Sequence, residues 1–313
     1  MYALCVESSH ARGMGHLFRA LNLRAALESR GRRAEILVNS DDAALATLKA
    51  RNASFRVVDL SDETSDWEGA AVKELGAVWW FDDRLKTTAS HARRVKASGA
   101  KLATFEDSGD GAALADLHFA PMRGEDARQP NLRSGLRWLV LNPEIEKFRR
   151  VRTAPGSLVV SLGGSDTYGA TVRVVAALKA AGKTATVVVG PSFRHHSELE
   201  KASAGSFTIK KNVPSLPEEF SRHDVAITGG GVTAFEAAAA GLPAIVVANE
   251  PWEVAVGERL QKLGAAVYAG PHDKMDLSVF SRTLDVEKMS RAAMAAVELS
   301  GARNVCDALE AHG

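Results

Sequence analysis

Cysteine is nearly absent from this chain: 313 residues contain only Cys5 and Cys306. That excludes a disulfide framework and a cysteine zinc cluster, which need several cysteines at short spacing. Cys5 lies in an apolar run and reads as a small buried residue. An excess of one charge is missing too. The 39 Lys and Arg residues face 38 Asp and Glu, a net charge of +1, so the basic surplus of a nucleic-acid-binding surface is not there. No apolar run approaches the roughly 20 residues that cross a bilayer. The opening MYALCVESSHARGMGHLFRAL lacks a basic segment followed by an apolar one, as a secretory signal would have. A cytoplasmic protein without stable membrane insertion is expected. The P-loop pattern GxxxxGK[ST] does not occur, which disfavours an NTPase, and no HExxH, DxD or Cys/His cluster supports a metal. No cofactor and no metal are expected.

What is present is an alternation of short apolar runs with amphipathic stretches. The 46% hydrophobic content is ample for two cores, and the length suits about two domains. Predicted strands at Tyr2–Val6, Ala34–Val38, Phe55–Val58, Ala77–Phe81 and Lys101–Phe105 are separated by predicted helices. That order gives βαβ units and a parallel sheet. Residues 121–137 break the pattern with Pro, Gly and charge, and Trp138–Leu141 reads as a last strand of this half. A charged segment holding Pro155 and Gly156 marks a boundary, giving domains 1–150 and 151–313. The second half repeats the alternation, ending in a predicted helix over Ala302–Ala311. The fold expected is α/β, two Rossmann-like domains with a ligand cleft at the carboxyl ends of both sheets.

The second half is organised around residues 223–247, HDVAITGGGVTAFEAAAAGLPAIVV. It reads as strand, glycine turn, short helix, Gly241 cap, strand. A glycine turn at a helix start presents unpaired N–H groups and a partial positive charge, which suits a diphosphate. Glu236, one turn beyond Thr233, falls on the same side, where an acceptor-only carboxylate suits sugar hydroxyls. The spacing is equally met by a tolerant strand–helix turn and a solvated glutamate.

Two further loops end predicted strands. Gly13-Met14-Gly15-His16 places a histidine at the start of a helix, where it serves either as a general base or as a cap or packing residue. Gly163-Gly164-Ser165-Asp166 is a second candidate anion cradle, although Ser165 or Asp166 could equally be an N-cap. Asp82, Asp83 and Asp107 also end strands, as metal ligands, as a support for a catalytic histidine, or as turn residues. His10 and His91 have no partner legible in the sequence, and His195-His196 reads as surface loop.

Together GMGHLFRAL, SLGGSD and GGGVTAFEAAAAGLPAIVV resemble the GT-B nucleotide-sugar enzymes, and among them the UDP-sugar hydrolases of pseudaminic acid biosynthesis. The last motif is shared with the wider MurG-like glycosyltransferases; GMGH with SLGGSD is the narrower pair. WWFDDR, FEDSGDG and SGARNV extend the likeness over nearly the whole chain. The resemblance implies release of free sugar and UDP from a UDP-linked diacetamido-trideoxyhexose. His16 would be the base that activates water, with Gly13 and Gly15 shaping its loop. Gly230, Gly231 and Thr233 would lie at the diphosphate, with Glu236 on the ribose and Asn249 toward the sugar; Gly163, Gly164, Ser165 and Asp83 are further substrate-binding candidates. Where the family has an Asn-Gln pair this chain has Asn249-Glu250, and Asp82-Asp83-Arg84 replaces the family's Asp-His/Ser-Tyr; both changes bear on the sugar. The implied partner is a UDP-sugar, with no nucleic acid, a monomeric chain, and other pathway enzymes as candidate contacts. The alternative is an inverting glycosyltransferase on the same scaffold, and the third reading a non-catalytic nucleotide-sugar binder.

Overall fold

A computed structural model describes residues 1–8, 14–122, 129–211 and 213–312. It divides into two compact units, the first comprising 1–9, 16–140 and 300–313, the second 10–15 and 141–299.

In the first unit the strands are β1 (Tyr2–Val6), β2 (Ala34–Val38), β3 (Phe55–Val57), β4 (Trp79–Asp83), β5 (Lys101–Phe105), β6 (Leu117–Ala120) and β7 (Leu132–Ser134). Helices α1 (Gly15–Glu28), α2 (Asp42–Ala50), α3 (Trp67–Leu75) and α4 (Ala89–Ala97) alternate with them. Among the described residues the sheet runs β3-β2-β1-β4-β5-β6-β7, with every pairing parallel. A parallel sheet is covered on both faces, so its strands are continuous apolar runs instead of alternating ones. All five residues of β1 are buried, and Cys5 is a free thiol among Ala3, Leu37 and Trp80. Trp138–Leu141, expected as a strand, does not pair in the sheet; two short strands, β6 and β7, stand there instead.

In the second unit β8 (Leu158–Ser161), β9 (Thr186–Val189), β10 (Thr208–Lys211), β11 (Val225–Gly229), β12 (Ala244–Ala248) and β13 (Ala266–Pro271) form a sheet ordered β10-β9-β8-β11-β12-β13. Its pairings are again parallel. The helices are α5 (Ile145–Phe148), α6 (Ala170–Ala180), α7 (His196–Ser203), α8 (Leu216–Ser221), α9 (Val232–Ala239), α10 (Glu253–Lys262) and α11 (Val286–Ala296). Val160, Val174, Leu178, Val187, Ile227, Ile245 and Phe280 meet in the core on the α6 side of this sheet. His196, taken as loop in the sequence, opens α7.

The last helix, α12 (Gly301–Ala311), belongs to the first unit, not to the second as an unbroken division at residue 150 would have it. A Cβ on Gly301 would run into the carbonyl of Leu139, so α12 lies directly on the segment that carries the buried Leu139 and Val140. That packing explains why Trp138–Leu141 is apolar without being a strand. Among the described residues no helix is long and apolar enough to cross a membrane.

Candidate active site

In the first unit the site grows from the pairing of β1 with β4. Their register sets Val6 beside Asp83, so the last carboxylate of β4 arrives where the chain turns from β1 toward α1. His16 Nδ1 approaches Asp83 Oδ1 at 2.5 Å. Arg19, three residues along α1 and therefore on the same face, clamps the same carboxylate. Its Nε donates to Oδ2 at 2.6 Å and its second terminal nitrogen donates to Oδ1 at 2.5 Å. That nitrogen also lies 3.1 Å from His16 Nδ1. An ionised carboxylate oxygen at that distance can only accept, so the proton sits on Nδ1 facing Asp83, and in the neutral ring the lone pair is left on Nε2.

Asp83 is 2% exposed. Burial pushes its carboxyl up, but the Arg19 guanidinium and His16 pull harder and hold it at about 2. For Arg19, burial works toward losing the proton, and Asp83 outweighs it. The Arg19 guanidinium lies 4.8 Å from the centre of the Phe105 ring, which completes its support from β5. A histidine with one nitrogen fixed by a buried carboxylate and the other available is equipped to take a proton.

Asp82 points to the opposite face of β4, as the two-residue period of a strand requires. Its Oδ1 accepts from Trp80 Nε1 at 2.9 Å, and its Oδ2 pairs with His91 Nε2 at 2.8 Å. His91, without a legible partner in the sequence, is held on its other nitrogen by Glu68 at 2.8 Å, and Arg94 clasps Glu68 in turn. Burial disfavours the imidazolium, but Asp82 and then Glu68 outweigh it and raise His91 to about 9. The two adjacent aspartates therefore serve separate networks, one catalytic in form and one structural. Among the described residues no group of three or more His, Cys, Asp or Glu side chains is placed to hold a metal ion. Asp107 is a turn residue, accepting the amides of Thr87 and Gly109.

In the second unit the glycine turn after β11 starts α9, with Gly231 as its N-cap. The first amides of the helix have no intrahelical partner. Gly230 is different: its N–H donates to Glu253 Oε2 at 3.0 Å, and a Cβ there would come within 2.7 Å of Glu253. Gly230 is thus a packing glycine with its amide already engaged, so its predicted place at a diphosphate does not rest on a free N–H. Thr233 and Glu236 are both partly exposed on α9. The Glu236 side chain has no hydrogen-bond partner among the described residues, and burial of its carboxyl pushes it up to about 7.

The loop after β8 answers the second open choice. Asp166, at φ 43°, accepts the amides of Ala170 and Thr171, both at 2.8 Å. Its carboxylate thus closes the first two amides of α6, although Gly169 holds the N-cap position. Ser165 is buried, and among the described residues its hydroxyl has a 3.4 Å contact with Thr167 alone. Gly163 sits at φ 101°, a left-handed conformation that favours glycine. A Cβ on Gly190 would meet the backbone of Gly164 at 2.5 Å, so Gly164 is one half of a close backbone approach that needs no ligand to explain it. Asn249 donates its side-chain amide to the Leu162 carbonyl at 3.2 Å and is 9% exposed, its Oδ1 unbonded. Gly15 opens α1, and a Cβ there would meet nothing nearer than 3.8 Å. Gly13 and His10 lie outside the described residues.

Two residues of these sites were missed in the sequence. Arg19 carried a signal, a charged residue on the helix face that buries Leu17, Ala20 and Leu23. Glu253 carried less, an acid in the first turn of a helix, where acids are common.

No family model matches this chain. An uncharacterized protein of Methanocaldococcus jannaschii is 23% identical over 268 residues, which cover 78% of this chain and 55% of that protein. The chain thus spans about half the length of that curated relative. Among solved structures, MurG of Acinetobacter baumannii superposes with a TM-score of 0.70 at 16% identity, covering 99% of both chains. The spinosyn rhamnosyltransferase SpnG, complexed with thymidine diphosphate, gives 0.66 at 15% identity over 99% of this chain and 100% of that one. A co-structure of MnaA from S. aureus with UDP gives 0.67 at 11% identity over 99% and 95%. These likenesses establish the fold class: a two-domain α/β fold of the GT-B type.

Proposed function

We propose that this protein is a nucleotide-sugar enzyme that transfers a glycosyl group from a UDP-sugar with inversion, using His16 as the base. The observation that carries the reading is the His16–Asp83–Arg19 arrangement. The second unit would hold the nucleotide, with the diphosphate at the start of α9 beside Gly231 and Thr233 and the ribose on Glu236. The first unit would supply the base. His16 Nε2 takes the proton of an attacking hydroxyl as its oxygen bonds to the anomeric carbon. The bond from that carbon to the diphosphate oxygen breaks, and UDP leaves with the electron pair. Asp83 steadies the imidazolium that forms, as an orienting carboxylate does. The amides and dipole at the start of α9 meet the charge growing on the leaving group.

Transfer to an acceptor hydroxyl is the reading we place first, because the named neighbours include a rhamnosyltransferase and further glycosyltransferases. Hydrolysis, with water as the attacking group and a diacetamido-trideoxyhexose as the sugar of a pseudaminic-type pathway, is the second, supported by the resemblance of GMGH and SLGGSD to that family. The test is UDP release from a panel of UDP-sugars in ¹⁸O-water, with and without candidate acceptors. Release without acceptor, with label in the sugar, selects hydrolysis; release that requires an acceptor selects transfer. UDP binding with no turnover under either condition supports a non-catalytic binder and overturns both.

A further inference from the structure

The second unit holds a carboxyl group that the mechanism above leaves unused. Glu253 opens α10 and is 7% exposed. Its Oε2 accepts the amide of Asn249 at 2.7 Å and that of Gly230 at 3.0 Å, tying the end of β12 to the turn after β11. Its Oε1 has no partner among the described residues, and it lies 3.5 Å from where a Cβ on Gly231 would sit. The unbonded oxygen of a buried carboxyl is therefore set at the N-terminus of α9, beside amides that lack intrahelical partners. An ionised carboxylate there would repel any anion drawn to the helix end.

Building on the nucleotide reading, we propose that Glu253 engages the diphosphate as a neutral acid, its Oε2 keeping both amides while its Oε1–H donates a hydrogen bond to a phosphoryl oxygen. A protonated carboxyl has the one donor this requires. The surroundings support the neutral form. Burial pushes the group up to about 7, against the amides of Asn249, Gly230 and Glu250 that favour its ionised form, and the charge of Glu250 adds to the rise. Tyr268 of β13 also faces it, and Glu236 on α9 is itself pushed up by burial. None of these neighbours is a cation. Binding of UDP above neutrality then takes up one proton at Glu253.

Calorimetric titration of the whole protein with UDP at pH 8, in two buffers of different ionisation enthalpy, reads that proton directly. Uptake of about one proton per UDP is expected; no uptake overturns the proposal. The second arm is Glu253→Gln, whose amide keeps both the acceptor and the donor without titrating. Wild-type affinity should fall about tenfold more than that of the variant between pH 6 and pH 8, the variant reporting the titration of UDP itself. Parallel profiles overturn the proposal. Wild-type protein that binds no UDP at any pH overturns the nucleotide reading as well, a result distinct from binding without proton uptake.

Discussion

At the scale of single residues, His16 is defined by what holds it. The Asp83 carboxylate fixes the proton on Nδ1, and Arg19 keeps Asp83 ionised in a buried place. We expect His16→Ala to lower the turnover of a UDP-sugar by roughly 10²–10⁴-fold while UDP affinity, measured by titration, changes little. Asp83→Asn should also lower turnover by about 10²-fold or more, because an amide no longer enforces the tautomer. Arg19→Met leaves Asp83 buried with His16 as its remaining charge partner. Removing one member of such a pair costs about 3–5 kcal/mol, so urea denaturation should show a loss of that order. Unchanged stability in Arg19→Met would sink the account of Arg19.

At the scale of elements, glycines decide where helices can lie. Gly230 lets α10 bring Glu253 against the turn after β11, since a Cβ would sit 2.7 Å from both the Cβ and the carbonyl of Glu253. Gly301 lets α12 settle on Leu139. Overpacking of this kind costs about 1–3 kcal/mol. Gly301→Ala should therefore lower the melting temperature by several degrees without altering UDP affinity. Gly230→Ala should weaken UDP binding together with stability. Equal effects of the two variants on UDP binding would refute the division. Asp166 shows the same economy, since one carboxylate closes the first two amides of α6.

At the scale of the molecule, the two buried ion networks on opposite faces of β4 make the first unit sensitive to pH on both sides. Asp83 and Glu68 are each held at about 2, below their ordinary values of 3.8 and 4.5. Their stabilisation is complete above those ordinary values and is lost as the pH falls toward 2. His91 is raised from 6.5 to about 9, so its contribution is complete below 6.5 and is lost as the pH climbs through 9. The His91 share is on the order of 3 kcal/mol. Trp67, Trp79, Trp80 and Trp138 all belong to the first unit and only Trp252 to the second. Denaturation followed by tryptophan fluorescence therefore reports mainly on the first unit, and its midpoint should be highest near pH 5–6. A midpoint that does not fall between pH 6.5 and pH 9 would contradict a charged His91.

The sequence by itself determined the alternation of strands and helices and the two-part α/β architecture. Apolar runs such as Tyr2–Val6 and Ala244–Ala248 bury both faces of a parallel sheet, and that constraint is written locally, residue by residue. The glycine turn before α9 and the histidine at the start of α1 were legible for the same reason. Which carboxylate holds His16 was not, because Asp83 lies 67 residues away and only the β1–β4 register brings it there. The separation of Asp82 from Asp83 depends on the pleat of β4, and the partners of His91 depend on how α3 and α4 pack. Gly230 and Gly164 were legible as loop glycines, but not the tertiary neighbours that crowd them, Glu253 beside Gly230 and Gly190 beside Gly164. The placement of α12 with the first unit was likewise invisible along the chain. Local pattern encodes which element forms; the partner of a buried charge is set by contacts between elements far apart in sequence, which only the tertiary structure decides.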